Sequence, residues 1–186
     1  DFSNGLTKGV IEGAGTGSDT LMVALQARQD CRGATHGYID EEFMVVNEYF
    51  LDGTSLKCRG FDGRVLRGLK IAVDDDSAYT LLDDVVSFQV QYGVTGNIAS
   101  QDNSARPVKF IEADLLGAEK AAGSLVVAIR IALLLKADSD VLISPVTKFK
   151  LLNENPIQPS EERLYKQFET TITLRNSKNF ARSRNI

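Results

Sequence analysis

Residues 85–92 read Val-Val-Ser-Phe-Gln-Val-Gln-Tyr. Side chains alternate along an extended chain. Val86, Phe88, Val90 and Tyr92 therefore share one face, and Ser87, Gln89 and Gln91 the other. The pattern predicts a strand with one face on a core and one face wet, the usual habit of an antiparallel sheet. Residues 124–136 predict a longer strand near the sheet centre. There Val127, Ile129, Ile131, Leu133 and Leu135 oppose Ala128, Arg130, Ala132, Leu134 and Lys136. These two runs set the fold class as mainly β.

Working outward, the flanks carry shorter signals. Residues 1–18 are glycine-rich with little apolar periodicity and read as an irregular lead-in. From Asp19 the pattern turns to strand, with Leu21, Val23 and Leu25 alternating with Met22, Ala24 and Gln26. Residues 43–51 form another run rich in β-branched and aromatic residues. Asp52-Gly53 is a turn signal, with a short strand from Ser55 to Arg59 after it. Asp62-Gly63 signals a second turn, followed by looser alternation from Arg64 to Val73. Residues 95–106 read as a loop, Pro107 to Lys120 as holding a short helix, and 138–161, with three prolines, as a long loop. Leu164 and Phe168, four apart, suggest a turn of helix. Thr171, Thr173 and Arg175 then alternate with Ile172 and Leu174 in a last strand, and the tail is polar. No internal repeat, low-complexity tract or interdomain linker stands out. The expectation is one domain over 1–186, with 1–18 as flexible lead-in and 177–186 as polar tail. Its class is mainly β (α+β): antiparallel strands, long loops and one or two short helices.

Composition narrows the function. The 186 residues are 43% hydrophobic and 25% charged, values of an ordinary folded domain. Lys plus Arg number 21 and Asp plus Glu 25, a net charge of -4 that suits a nucleic-acid coat poorly. A single histidine, His36, excludes sites built on two imidazoles. No tryptophan and few aromatics argue against a sugar-stacking platform. No stretch approaches the ~18 apolar residues of a membrane span; the longest run, Leu125 to Leu135, is broken by Arg130.

The constellations that could carry chemistry are thin. Gly13-Ala14-Gly15-Thr16-Gly17-Ser18 lacks the Lys-Ser/Thr ending of a phosphate loop and reads as lead-in. Asp74-Asp75-Asp76 with Asp83-Asp84 could hold a hard cation, but lacks the order of a calcium loop and reads as a solvated turn. His36 could partner Ser3, Ser18 or Cys31, yet there is no nucleophile elbow, and it reads as a loop histidine. Arg175-Asn176 with Lys178, Arg182 and Arg184 reads as a solvated basic end. Cys31 and Cys58, each followed by Arg-Gly, fit either two unrelated buried thiols or one structural disulfide.

Several segments in order resemble the PilW-type minor pilins of type IV pilus systems, with the J-type pseudopilins of type II secretion as nearest relatives. Ser18-Asp19-Thr20-Leu21 opens a strand, and Asp30-Cys31-Arg32-Gly33 follows. Next come Asn47-Glu48-Tyr49-Phe50 and Leu56-Lys57-Cys58-Arg59-Gly60. Leu82 to Val94 is similar to the family's "L-x-x-x-V-x-x-x-Q-V-x-Y-G-V" strand, and Val127 to Leu135 to its "V-R-I-A-L-L-L" strand. Arg163-Leu164-Tyr165-Lys166-Gln167-Phe168 leads into Thr170 to Asn176, like the family's closing strand. The family's N-terminal prepilin segment, and its tryptophan before the "V-R-I-A" strand, do not stand in this chain.

The resemblance implies a pilin-like head without its N-terminal transmembrane and assembly helix, so that Asp1 is a truncation point. It implies a structural subunit of the pilus tip or priming complex. The expected partners are other minor pilins, the major pilin, a tip adhesin, and the inner membrane through the missing helix, with no nucleic acid for this subunit alone. It implies a periplasmic head that becomes extracellular in the assembled pilus, a part in cell adhesion and twitching motility, and a disulfide between Cys31 and Cys58. No catalytic residue, cofactor or metal ligand is expected. The alternatives are a J-type minor pseudopilin and a secreted β-sandwich binding module.

Overall fold

The computed structural model describes residues 10–71, 77–96, 106–138 and 147–174. Most of the strands expected above are present: β1 (Leu21–Ala27), β2 (Phe43–Asp52), β3 (Ser55–Asp62), β4 (Tyr79–Leu82), β5 (Val85–Val94), β6 (Lys109–Ile111), β7 (Val126–Lys136) and β8 (Tyr165–Thr173). They build two four-stranded sheets, ordered β1-β2-β3-β4 and β6-β5-β7-β8. The class is mainly antiparallel β with a few short helices.

By compactness the chain divides into two units. One comprises Asp1–Ile11 with Ser18–Val85, and the other Glu12–Gly17 with Val86–Ile186. In the first, β2 and β3 form a hairpin in which Asp52 faces Ser55 across Gly53-Thr54. Gly53 has φ +62°, a region that costs glycine nothing and matches the strand twist of a two-residue turn. Val46, Phe61 and Leu66, with Met22 against them, form an apolar cluster there. In the second unit, Ala132 and Leu134 of β7 are fully buried with Leu151 and Tyr165, under Phe149, Leu152 and Ile157. The 147–161 stretch is irregular apart from one bridge, Phe149 to Ile157.

Three expectations need correction. The supposed wet face of β5 is dry: Ser87, Gln89 and Gln91 are all buried. Gln89 Nε2 donates to Gly17 O at 2.8 Å and to Ser87 Oγ at 3.0 Å, so the glycine-rich lead-in is a strap that hydrogen-bonds to this strand. A buried amide is tolerable when so bonded. Residues 63–66 are a short helix, α1 (Gly63–Leu66), because Asp62 accepts from Arg64 N and caps it. The short helix expected within 107–120 is present as α2 (Leu116–Ala121), after β6 and a 3₁₀ turn (Ala113–Leu115). Leu164 and Phe168 lie in no helix, and Phe168 is within β8, which starts earlier than expected.

Candidate interaction site

The connection between β1 and β2 is tied down by a polar knot. Cys31 is joined to Cys58 of β3, with Cα atoms 6.4 Å apart. Cys31 N donates to Asn47 Oδ1 at 3.1 Å. The neighbouring Asp30 side chain is wholly buried. Its Oδ1 accepts from Arg32 N and Ala34 N at 2.8 and 3.0 Å. Its Oδ2 accepts from Arg32 Nε, Arg32 Nη2 and His36 Nε2 at 3.0, 2.8 and 2.9 Å. Arg32 reaches on to Gly60 O and Ser77 O. Burial by itself would raise the Asp30 pKa, but the Ala34 N–H, the Arg32 guanidinium and His36 outweigh it and hold the carboxyl below its usual range. Gly60 leaves the space in which Asp30 sits, since a methyl there would overlap the Asp30 side chain.

The same connection continues into a second clamp. Tyr38 OH donates to Asp62 Oδ2 at 3.0 Å, and Lys70 Nζ donates to the same oxygen at 3.1 Å and to His36 O at 2.9 Å. The Tyr38 ring stacks on Phe43 at 4.5 Å, with Lys70 Nζ 4.3 Å and the Arg64 guanidinium 4.6 Å from its centroid. Next in sequence to Tyr38 and Lys70, Ile39, Leu69 and Ile71 are 83%, 65% and 87% exposed. Apolar side chains held outward by an ordered scaffold suit contact with another protein better than chemistry.

In the second unit, β7 and β8 present another such surface. The register sets Phe168 beside Leu133, Thr170 beside Ile131 and Ile172 beside Ile129. Opposed residues share a face, so Ile131, Leu133 and Leu135, all half-buried, continue into Phe168 and Ile172, both exposed.

The residues singled out in the sequence fall as follows. Cys31 and Cys58 come together. His36 is buried against Asp30 rather than set as a loose loop side chain, and bridged Cys31 is no nucleophile beside it. Gly13–Ser18 serves the strap. Asp83 accepts from Ser55 Oγ at 2.6 Å. Ser3, Asp74–Asp76 and the basic end from Arg175 lie outside the described residues. Among the described residues no group of three or more His, Cys, Asp or Glu side chains could hold a metal ion, and no helix is long and apolar enough to cross a membrane. Asp30, Arg32, Gly60 and the Tyr38–Asp62–Lys70 clamp escaped the sequence reading. Only the Asp-Cys-Arg-Gly string, with its turn-forming residues, marked the place.

Comparison with known proteins follows the geometry. The family described as type IV pilus-assembly protein W matches residues 44–176. Among solved structures, a type IV-like pilin from Thermus thermophilus is similar, with a TM-score of 0.53 and 13% identity over 91% of this chain and 84% of that one. At that identity the likeness speaks for the fold. No curated protein matches the sequence.

Proposed function

Because the chain belongs to the type IV pilus-assembly protein W family, we propose that it is the head of a minor pilin that helps to prime pilus assembly and stands at or near the pilus tip. A component of that assembly works in the cell envelope or outside the cell. The observation that carries the reading is the family match over 44–176, joined to a two-sheet antiparallel fold that a solved type IV-like pilin shares. On this reading residues 1–186 act as one pilin-like head. An apolar helix ahead of Asp1 anchors it in the inner membrane, with the head in the periplasm before incorporation. Work is done by surface complementarity with other minor pilins, the major pilin and a tip adhesin, and no turnover chemistry is called for. The ordered apolar projections at Ile39, Leu69 and Ile71 support that role. Adhesion and twitching motility follow as consequences of a working pilus.

The test is the N-terminal sequence and intact mass of the protein taken from its own cells, together with pilus counts in a deletion strain. A mature start with a methylated aromatic residue, a nearby Glu and ~20 apolar residues, with loss of surface pili, is the expected result. A mature start near Asp1 after an ordinary signal peptide, with normal piliation, would overturn the reading.

A further inference from the structure

Strand β8 ends its sheet, and its open side is unusually well suited to pairing. Ala137 N donates to Leu164 O, and Leu174 N donates to Val127 O. In an antiparallel ladder, bonded and non-bonded residues alternate. The even-numbered residues of β8 therefore hold β7, and the odd-numbered ones turn their N–H and C=O groups away from it. Tyr165, the first of these, is buried; Gln167, Glu169, Thr171 and Thr173 are the exposed outward set, and among the described residues no backbone partner meets these four. Natural sheets blunt such edges with short strands, proline, bulges or charged side chains. Of the other edge strands, β4 and β6 are four and three residues long and β1 is seven. By contrast β8 has nine residues, no proline and an unbroken register with β7, and its charges are one Lys, Lys166, and one Glu, Glu169.

The sequence of this edge is complementary to itself. The outward set is centred on Thr170. A second copy laid antiparallel about a two-fold axis at Thr170 sets Gln167 against Thr173 of the partner subunit, and Glu169 against Thr171 of the partner subunit. Each N–H and C=O of these four residues then acquires a partner. Phe168 lies beside Ile172 of the partner subunit, and the same contact recurs by symmetry. The apolar rows Leu133–Phe168 and Ile129–Ile172 thus run on across the junction. Neighbouring registers are worse. Centring on Glu169 opposes two carboxylates, centring on Thr171 parts Phe168 from Ile172 of the partner subunit and carries Gln167 beyond the facing strand, and centring on Phe168 slides Thr173 past its end.

We propose that β8 is a self-pairing edge, through which two copies of this chain join antiparallel about Thr170 into one continuous sheet. The inference rests on the edge geometry and not on the pilus reading, so either can fail without the other.

The test uses the 186-residue chain in sedimentation and light scattering across micromolar to near-millimolar concentrations. The expected result is a concentration-dependent dimer. Thr170→Lys and Thr170→Glu, at an exposed position, should each weaken it roughly tenfold or more by setting like charges face to face. Mixing the two variants should restore a dimer. Circular dichroism and melting of each variant should match the parent. A non-bonded antiparallel pair has Cα atoms ~4.5 Å apart, within disulfide reach. Thr170→Cys should therefore cross-link to its own copy under mild oxidation, and Gln167→Cys should not. A monomer at every concentration, a dimer indifferent to both charge variants, or equal cross-linking at 167 and 170 would overturn the proposal.

Discussion

Replacing Cys31 and Cys58 together by alanine tests how much the bridge stabilises the first unit. The two residues are 27 apart in sequence. Cross-linking a loop of that size removes denatured-chain entropy equivalent to about 3.5 kcal/mol at 25 °C. For a domain of this length each kcal/mol moves the melting temperature by roughly 2–4 °C, so the double variant should melt about 7–14 °C lower. Two local features bear on the figure. The β2–β3 hairpin begins within the closed loop, and any of it that persists in the denatured chain lowers the entropic gain. Cys58 is fully buried, so loss of its sulfur adds a small packing cost. The assay is a thermal melt followed by circular dichroism, on the double variant and on the parent with and without reductant. The parent under reduction should fall toward the variant. A shift under ~2 °C in both would refute the reasoning. It would mean that the Asp30 knot alone holds the β1–β2 connection and that the bridge is redundant.

Two further outcomes follow from buried charges. Asp30 has a folded pKa below its unfolded value of ~3.9, so its stabilisation is complete above that pH and is lost as pH falls through the folded value. Asp30→Asn should lower stability at neutral pH and flatten the acid limb of a urea-midpoint profile; an acid limb as steep as the parent's would refute the assignment. Glu48 is fully buried and accepts from Arg59 Nη2 and Nε at 2.6 and 3.2 Å. Arg59→Met strands that carboxylate and should cost about 3–5 kcal/mol, whereas the Glu48→Met, Arg59→Met pair should recover most of it. Additive losses in denaturant titrations would show that the two residues do not act as a pair.

How far the fold could be read depended on whether its causes were local. The alternation of β5 and β7 is a property of the strands themselves, and both runs announced it. The dryness of the β5 glutamine face was hidden, because the strap that bonds it comes from residues 12–17, far off in sequence. Leu164 and Phe168 misled for a geometric reason: residues four apart share a face in a strand as well as in a helix. Strand β4, Tyr-Thr-Leu-Leu, is too short to show a period, and its pairing with β3 creates it. At the candidate site the cysteines could be seen but not paired from composition. The Asp30 knot depends on Gly60 of β3 coming alongside, which no local pattern encodes.

The strap also bears on the order in which the chain can fold. Gly17 waits for Gln89, 72 residues later, and Glu12 for the Ala113 N–H, 101 residues later. The hairpin β2–β3, by contrast, has everything it needs within twenty residues. During synthesis the strap emerges before the strand and turn it binds, and has nothing to bind until the second sheet exists. It is therefore a natural stopwatch. A protease cleavage between residues 12 and 17 marks chains whose second sheet is unfinished, and its disappearance dates the moment at which that sheet closes.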